Sequence, residues 1–368
     1  MLVNVAATAF TASVWWPRPG RLTVTPEVRE PTERSPWSIQ GARAERIARE
    51  VSVVIPTFNR RNSLGRAIES VLGDPAAAEV IVVVDGSRDG SVEVLEEVAR
   101  SEPRVRPLFR QHRGLNAAVQ AGVEQARSEV VLVLDDDLEA APGLVSGHAR
   151  HHAEAPDLVV LGYSPVVVRP GAADEKGLTA ALYCESYERS CRLFQSRPDE
   201  ILLRMYGGHL SMRTASCLGT GVYSEHFREP YHPDREFGIR CLKAGLVGRF
   251  DRSLVAHHHY VRSLSDFRRD GRSGGAATVA MHTLHADVLG PLDPAISARG
   301  APAPARWLIR LSRFRRFHEV ASTVIAMVVR LLGGLRALSL QRRAGKLLTR
   351  MEHQRGLHEA LLRKGVRV

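Results

Sequence analysis

At 368 residues, with 44% hydrophobic and 25% charged residues, the chain is long enough to bury a sizeable core and has the composition of a soluble globular protein. Its formal charge of +11 is lopsided: from Arg306 to Val368 fifteen Lys/Arg face three Asp/Glu, so the tail carries +12 and the first 305 residues carry −1. The four cysteines form no CxxC pair and no metal-ligand spacing, which excludes a zinc framework and reads as reduced thiols in a cytoplasmic protein.

Residues 1–50 hold five prolines and no sustained period, and they read as a partly disordered extension. No Lys or Arg precedes Arg18, so the positive n-region of a signal peptide is missing. Order begins at Val51 to Pro56, an apolar strand ended by proline. Leu64, Ala67, Ile68, Val71 and Leu72 then repeat at helical spacing. Glu79 to Val84 is a second strand, closed by Asp85-Gly86-Ser87-Arg88-Asp89-Gly90, and a helix with Val92, Leu95 and Val98 inward follows. Val105 to Phe109 is a short strand, and Gly114 to Ala126 is an alanine-rich helix. The alternation of strand and helix predicts a parallel α/β sheet flanked by helices, with right-handed crossovers gathering the strand ends on one rim.

Val130 to Leu134 is the central strand, five apolar residues followed by Asp135, Asp136 and Asp137. Open parallel sheets place their ligands at such carboxyl ends. Three adjacent anions call for a positive partner, and hard divalent cations that bridge to phosphate, Mg²⁺ or Mn²⁺, suit them. A solvated acidic turn would read the same way, so the flanking motifs decide.

Beyond residue 157 come a strand over Leu158 to Val168, a helix over Leu178 to Phe194, and a glycine-marked bend at Gly207-Gly208 leading to a short strand. A helix opens at Pro233, with Asp234 and Glu236 at its positive end, and stops at Gly245. Leu254-Val255-Ala256 ends in His257-His258-His259, of which His257 and His259 share a direction on a strand. From Arg306 the aromatic and apolar residues Trp307, Leu308, Leu311, Phe314 and Phe317 alternate with arginines. The charge-free run Val320 to Val329 is ten residues, half of what spans a bilayer. The tail reads as a basic amphipathic helical segment, either in a membrane interface or packed on the rest of the chain or on a second copy; nucleic-acid binding ranks below these, no recognised module accompanying the charge.

In order, Val53-Val54-Ile55-Pro56-Thr57-Phe58-Asn59, Val83-Val84-Asp85-Gly86-Ser87, Leu134-Asp135-Asp136-Asp137 and Pro233-Asp234-Arg235-Glu236-Phe237-Gly238 resemble the motifs of family 2 glycosyltransferases of the GT-A fold, over roughly residues 51–285. The resemblance implies a GT-A, mostly parallel sheet with an α-helical C-terminal extension, divided into a nucleotide-sugar half at 51–157, an acceptor half at 158–300 and a tail at 301–368. It implies a metal-dependent inverting transfer from a nucleotide-diphosphate sugar, UDP by family habit, to a glycan, lipid-carrier or small-metabolite hydroxyl. The nucleotide would be held by Pro56, Thr57, Asn59, Asp85, Ser87, Gly114, Asp135 and Asp136. The Mn²⁺ or Mg²⁺ would sit on Asp137 and Asp135, completed by His257 or His259. Asp234 would be the general base, with Glu236 as fallback. Arg262, Arg268, Arg269 and Arg272 are possible members of a diphosphate clamp. His148, His151 and His152 read as residues of a surface helix without a role. A retaining transferase, a nucleotidyltransferase and a non-catalytic nucleotide-sugar scaffold remain alternatives. Location is expected to be cytoplasmic, at the inner face of the membrane if the tail binds lipid.

Overall fold

All seven residues of β1 (Val51–Thr57) are buried, because helices cover both faces of the sheet at this point. The computed structural model describes residues 50–168, 171–222, 227, 229 and 231–365; the extension expected at residues 1–50 lies outside them but for its last residue. After β1 come α1 (Arg61–Leu72), β2 (Ala77–Asp85), α2 (Ser91–Ser101), β3 (Val105–Arg110), α3 (Leu115–Glu124) and β4 (Val130–Leu134). Leu64, Ala67, Ile68 and Val71 of α1 are buried on one face of the sheet. Ala118, Val119 and Val123 of α3 are buried on the other. Gly122 of α3 lies so near the sheet that a Cβ would stand 2.4 Å from Val54 Cγ1.

β5 (Leu138–Ala140), α4 (Leu144–Glu154), β6 (Leu158–Tyr163), α5 (Glu175–Ser196), β7 (His209–Arg213) and α6 (Thr214–Thr220) follow. Then come α7 (Pro233–Lys243), β8 (Val247–His258) and the 21-residue α8 (Leu264–Leu284). The eight strands form one sheet of order β3-β2-β1-β4-β7-β6-β8-β5. β1 to β4 are parallel to one another; β7 pairs antiparallel with both β4 and β6, and β5 antiparallel with β8. Strand order reverses between β1 and β4, which opens a crevice beyond their carboxyl ends. Thr57, Asp85 and Asp135 therefore stand on one rim, as the alternation of elements predicts.

The tail is α9 (Ala303–Leu311), α10 (Arg315–Gly334) and α11 (Leu338–Arg363). The helix around the charge-free run is 20 residues long, twice the run itself. α11 crosses α8 at touching distance: a Cβ on Gly275 would meet the His353 carbonyl oxygen at 2.1 Å, and one on Gly356 the Arg272 carbonyl oxygen at 1.9 Å. Between them Glu352 is buried, accepting from Arg268 (2.7 Å) and Arg272 (3.0 Å) and lying 3.1 Å from His318 of α10. One side of the tail is thus packed on the rest of the chain. Arg268 and Arg272, possible members of a phosphate clamp in the sequence, are used on Glu352 instead, and Arg269 pairs with Asp266 of its own helix.

His148 and His152 also differ from the surface placement expected of them. Both are fully buried beneath the sheet, where His148 Nε2 meets His209 Nε2 at 3.0 Å and each ring reaches Ser211 Oγ at 2.7 Å. Polar residues at helical spacing look exposed in sequence; here Ser211 and His209 of β7 supply the partners that let them be buried. His151 alone is turned outward, to Asp251.

Candidate active site

A cavity of about 1280 Å³ runs from the rim of β1, β2 and β4 to the inner side of α11. Pro56, Thr57, Asn59, Asp85 and all of Asp135 to Asp137 line its first end. Asn59 adopts φ 53°, and its Oδ1 accepts from Arg88 N at 2.9 Å while its own N–H donates to Ser87 Oγ at 2.9 Å. Asn59 and Ser87 thus fasten the β1 and β2 loops to each other; Ser87, expected on the nucleotide, is not part of the cavity wall. Asp85 accepts from the backbone N–H groups of Arg113 (3.0 Å) and Gly114 (2.7 Å), so it clamps the start of α3 while lining the cavity. Gly114 contributes that N–H rather than a wall position.

Asp135, Asp136 and Asp137 cluster with Asp234, and the nearest cation is Arg60, 3.6 Å from Asp136 and 3.5 Å from Asp137. The acids respond differently. Burial, then the charges of Asp137, Asp136 and Asp234, pushes Asp135 well above the usual carboxylate range. Burial likewise pushes Asp136 up to about 6. Burial pulls Asp137 the same way, but His258, Arg60 and Arg262 outweigh it and hold Asp137 below its ordinary value. Of the three rim acids, Asp137 alone is held below its ordinary value.

The histidine beside it is the middle one. His258 Nε2 lies 3.5 Å from Asp137 Oδ1, whereas His257 is exposed and His259 bonds Glu139 at 2.7 Å. The pairing of β5 with β8, Leu138 opposite His258 and Glu139 opposite His257, fixes which face each ring takes, and it is the opposite parity to the one expected. Among the described residues no three His, Cys, Asp or Glu side chains converge as a closed metal cage. The cluster still fits a divalent cation bound with a phosphate: it holds more carboxylates than cations, and Asp137 with His258 offers an oxygen and a nitrogen toward the cavity.

On the far side of Asp135, Gly207 N–H donates to Asp234 Oδ2 at 3.2 Å, and Arg235 N–H to Asp234 Oδ1 at 2.9 Å. A helix start lowers a carboxylate's pKa, but here burial wins and Asp234 is raised. Glu236, the expected fallback, is turned away: it is buried between Arg240 (3.0 Å) and His285 (3.2 Å) and does not reach the cavity. His232, directly before α7, holds a left-handed φ of 62° on the cavity wall.

The rest of the wall went unseen in the sequence. Tyr183 of α5 stacks on Tyr260 at 4.4 Å between centroids, with Tyr187 and Tyr206 continuing the aromatic surface. Beyond it stand Arg189 and Arg192 of α5 and Lys346 and Arg350 of α11. Burial first, then the charge of Arg189, pulls Arg350 below its usual value, so two guanidiniums share one part of the cavity. These positions, more than 150 residues apart, carry no local pattern that would join them. Of the four arginines after β8, only Arg262 lines the cavity.

The sheet order, the acidic rim and the helical tail define a GT-A fold. The structure of the mannosyltransferase PcManGT from Pyrobaculum calidifontis, in complex with GDP-Man and Mn²⁺, superposes with a TM-score of 0.50 over 83% of this chain and 93% of that one, at 14% identity. The chain matches the sequence model of Glycosyl transferase family 2 over residues 52–219. Among its relatives is an undecaprenyl-phosphate 4-deoxy-4-formamido-L-arabinose transferase of Pseudomonas savastanoi pv. phaseolicola, 38% identical over 25% of this chain and 29% of its own length. Another is the GalNAc(5)-diNAcBac-PP-undecaprenol beta-1,3-glucosyltransferase of Campylobacter jejuni, 28% identical over 62% of this chain and 68% of the relative. Matches to three of the undecaprenyl-phosphate transferases span only 29 to 36% of those proteins.

Proposed function

We propose that the chain transfers a sugar from a nucleotide diphosphate to a hydroxyl of a lipid-linked acceptor in a single inverting displacement. The observation that carries this reading is the position of Asp234, a half-buried carboxylate with raised pKa on the same cavity as the acidic rim. Thr57 and Asp85 would hold the nucleoside, and Arg60 and Arg262 would face the diphosphate. Asp137 and His258 would hold Mn²⁺ or Mg²⁺, with Asp135 behind them; when bound, the cation supplies positive charge to the departing diphosphate. Asp234 takes the acceptor hydroxyl proton onto its carboxylate as the oxygen attacks the anomeric carbon, and the nucleoside diphosphate leaves on the opposite face.

The tyrosine wall offers stacking faces to acceptor sugars, and Arg189 with Arg350 favours an acceptor bearing phosphate. The names of the relatives agree with a lipid-phosphate carrier. The same arginines support a second reading, in which the acceptor's phosphate oxygen is itself the nucleophile and needs no base. The experiment is binding of UDP, GDP, dTDP and CDP with and without Mn²⁺, to the wild type and to Asp137→Ala. Metal-dependent binding of one nucleotide, lost in the variant, supports the mechanism; no binding to any of them rejects it. Transfer by Asp234→Asn then separates the two acceptors: a hydroxyl acceptor loses turnover, and a phosphate acceptor retains it.

A further inference from the structure

α10 has two unlike sides. Ser322, Ala326, Val329 and Gly333 are buried, and Ala326 and Val329 pack among Leu178 and Leu182 of α5, Leu264 of α8 and Leu348 of α11. Leu182 also lines the active-site cavity, so this side backs the acceptor wall. The outward side is apolar and uncovered: Val320 (67% exposed), Val324 (52%), Met327 (60%) and Leu331 (62%) follow the spacing i, i+4, i+7, i+11. Residues so spaced form one stripe, and from Val320 to Leu331 at a rise of about 1.5 Å per residue it runs about 17 Å. Trp307 and Phe314, both more than half exposed, extend it at the N-terminal end.

The charges around the stripe are predominantly positive. Arg306, Arg310, Arg313 and Arg316 are exposed about the aromatic end and Arg336 at the other. Glu319 is the one acid of α10, and Arg315 pairs with it at 2.8 Å. A second copy seated on this face by a two-fold axis would bring arginine rims together. A surface of phosphates would match them.

We propose that the α10 stripe, with Trp307 and Phe314, lies in the surface of an anionic lipid bilayer, its arginines on lipid phosphates. The helix lies flat, because its other side is held by α5, α8 and α11 along its length. A stripe of this kind on a rigid support needs no refolding to enter the head-group region. The inference does not rest on the transferase reading, and its test is read without turnover, so each fails separately.

The full chain is floated with vesicles of phosphatidylcholine alone and of phosphatidylcholine with phosphatidylglycerol. The expected result is binding to the second kind, weakened by salt, with a blue-shifted emission of Trp307 that disappears in Trp307→Phe. The variant Val324→Glu/Leu331→Glu is expected to lose binding by about tenfold or more with its circular dichroism unchanged, and Arg310→Glu/Arg316→Glu to lose the preference for anionic lipid. Equal or absent flotation with both kinds of vesicle overturns the proposal. So does a dimer in sedimentation that Val324→Glu/Leu331→Glu splits while no vesicle is bound, which would make the face a contact between copies.

Discussion

Gly208 is pressed against Asp135: its carbonyl accepts the Asp135 backbone N–H at 2.9 Å, and a Cβ on it would stand 2.0 Å from Asp135 Oδ2. The carboxylate at the centre of the acidic rim has its place because this residue lacks a side chain. Gly208→Ala is expected to push Asp135 out of line, at a cost of about 1–3 kcal/mol in stability. It is also expected to weaken metal-dependent nucleotide binding by about tenfold or more, as measured by calorimetry. Unchanged binding and melting would show that Asp135 has room that the structure denies it.

Asp234 and Glu236 stand two residues apart and are expected to behave oppositely. Asp234→Asn should lower kcat by about 10²- to 10⁴-fold while nucleotide affinity and melting temperature stay near wild type. Because burial raises its pKa and the deprotonated form is the active one, kcat should rise with pH through a midpoint above the ordinary carboxylate range. Glu236→Gln should leave that profile in place and destabilise the chain, since it strips Arg240 and His285 of their buried partner. Steady-state kinetics across pH on both variants separates the roles.

The histidines beneath the sheet predict acid sensitivity near neutral pH. Burial holds His152 and His209 down at about 3 and His148 well below its ordinary value. The unfolded chain takes up these protons from about pH 6.5 downward, while the folded chain does not. Stability is therefore complete above that pH and falls as pH drops, each imidazole removing about 1.4 kcal/mol per pH unit until its folded pKa is reached. Denaturant midpoints measured between neutral pH and pH 5 should fall accordingly. His148→Gln/His152→Gln should flatten the slope, and a flat wild-type profile would contradict it.

Glu352 makes a second, more acidic step. Burial raises it, yet His318 and Arg268 outweigh burial and hold it at about 2 against an ordinary 4.5. Its contribution, about 3 kcal/mol, is present above that ordinary value and is lost as pH falls toward 2. At neutral pH Glu352→Gln should cost about 3–5 kcal/mol, because Arg268 and Arg272 lose their shared carboxylate. Hydrogen exchange should then accelerate first in α8, α10 and α11. Uniform acceleration over the sheet would mean that the tail does not unfold as a unit.

The sequence by itself determined the elements whose signals are local. β1, β2 and β4 are largely apolar runs, their helices carry stripes at 3.6-residue spacing, and the acids Asp85 and Asp135 to Asp137 stand at strand ends, so a shared rim followed from chain direction alone. The family motifs rest on these same short segments. Tertiary structure decided what depends on the partner across space. His258 instead of His257 or His259 faces Asp137 because the register with β5 sets the parity of β8. Asp234 faces the cavity and Glu236 does not, because two residues on a helix are displaced by about 200° and packing alone chooses the inward one. His148 and His152 are buried because Ser211 and His209 await them, and Arg268 and Arg272 are spent on Glu352, some eighty residues away. The arginines and tyrosines of the far cavity wall come from α5, from the segments that lead into β7 and follow β8, and from α11, and no spacing in the chain encodes their meeting. Alternating sequence patterns state which way a side chain differs from its neighbours; only packing states which of the two ways is in.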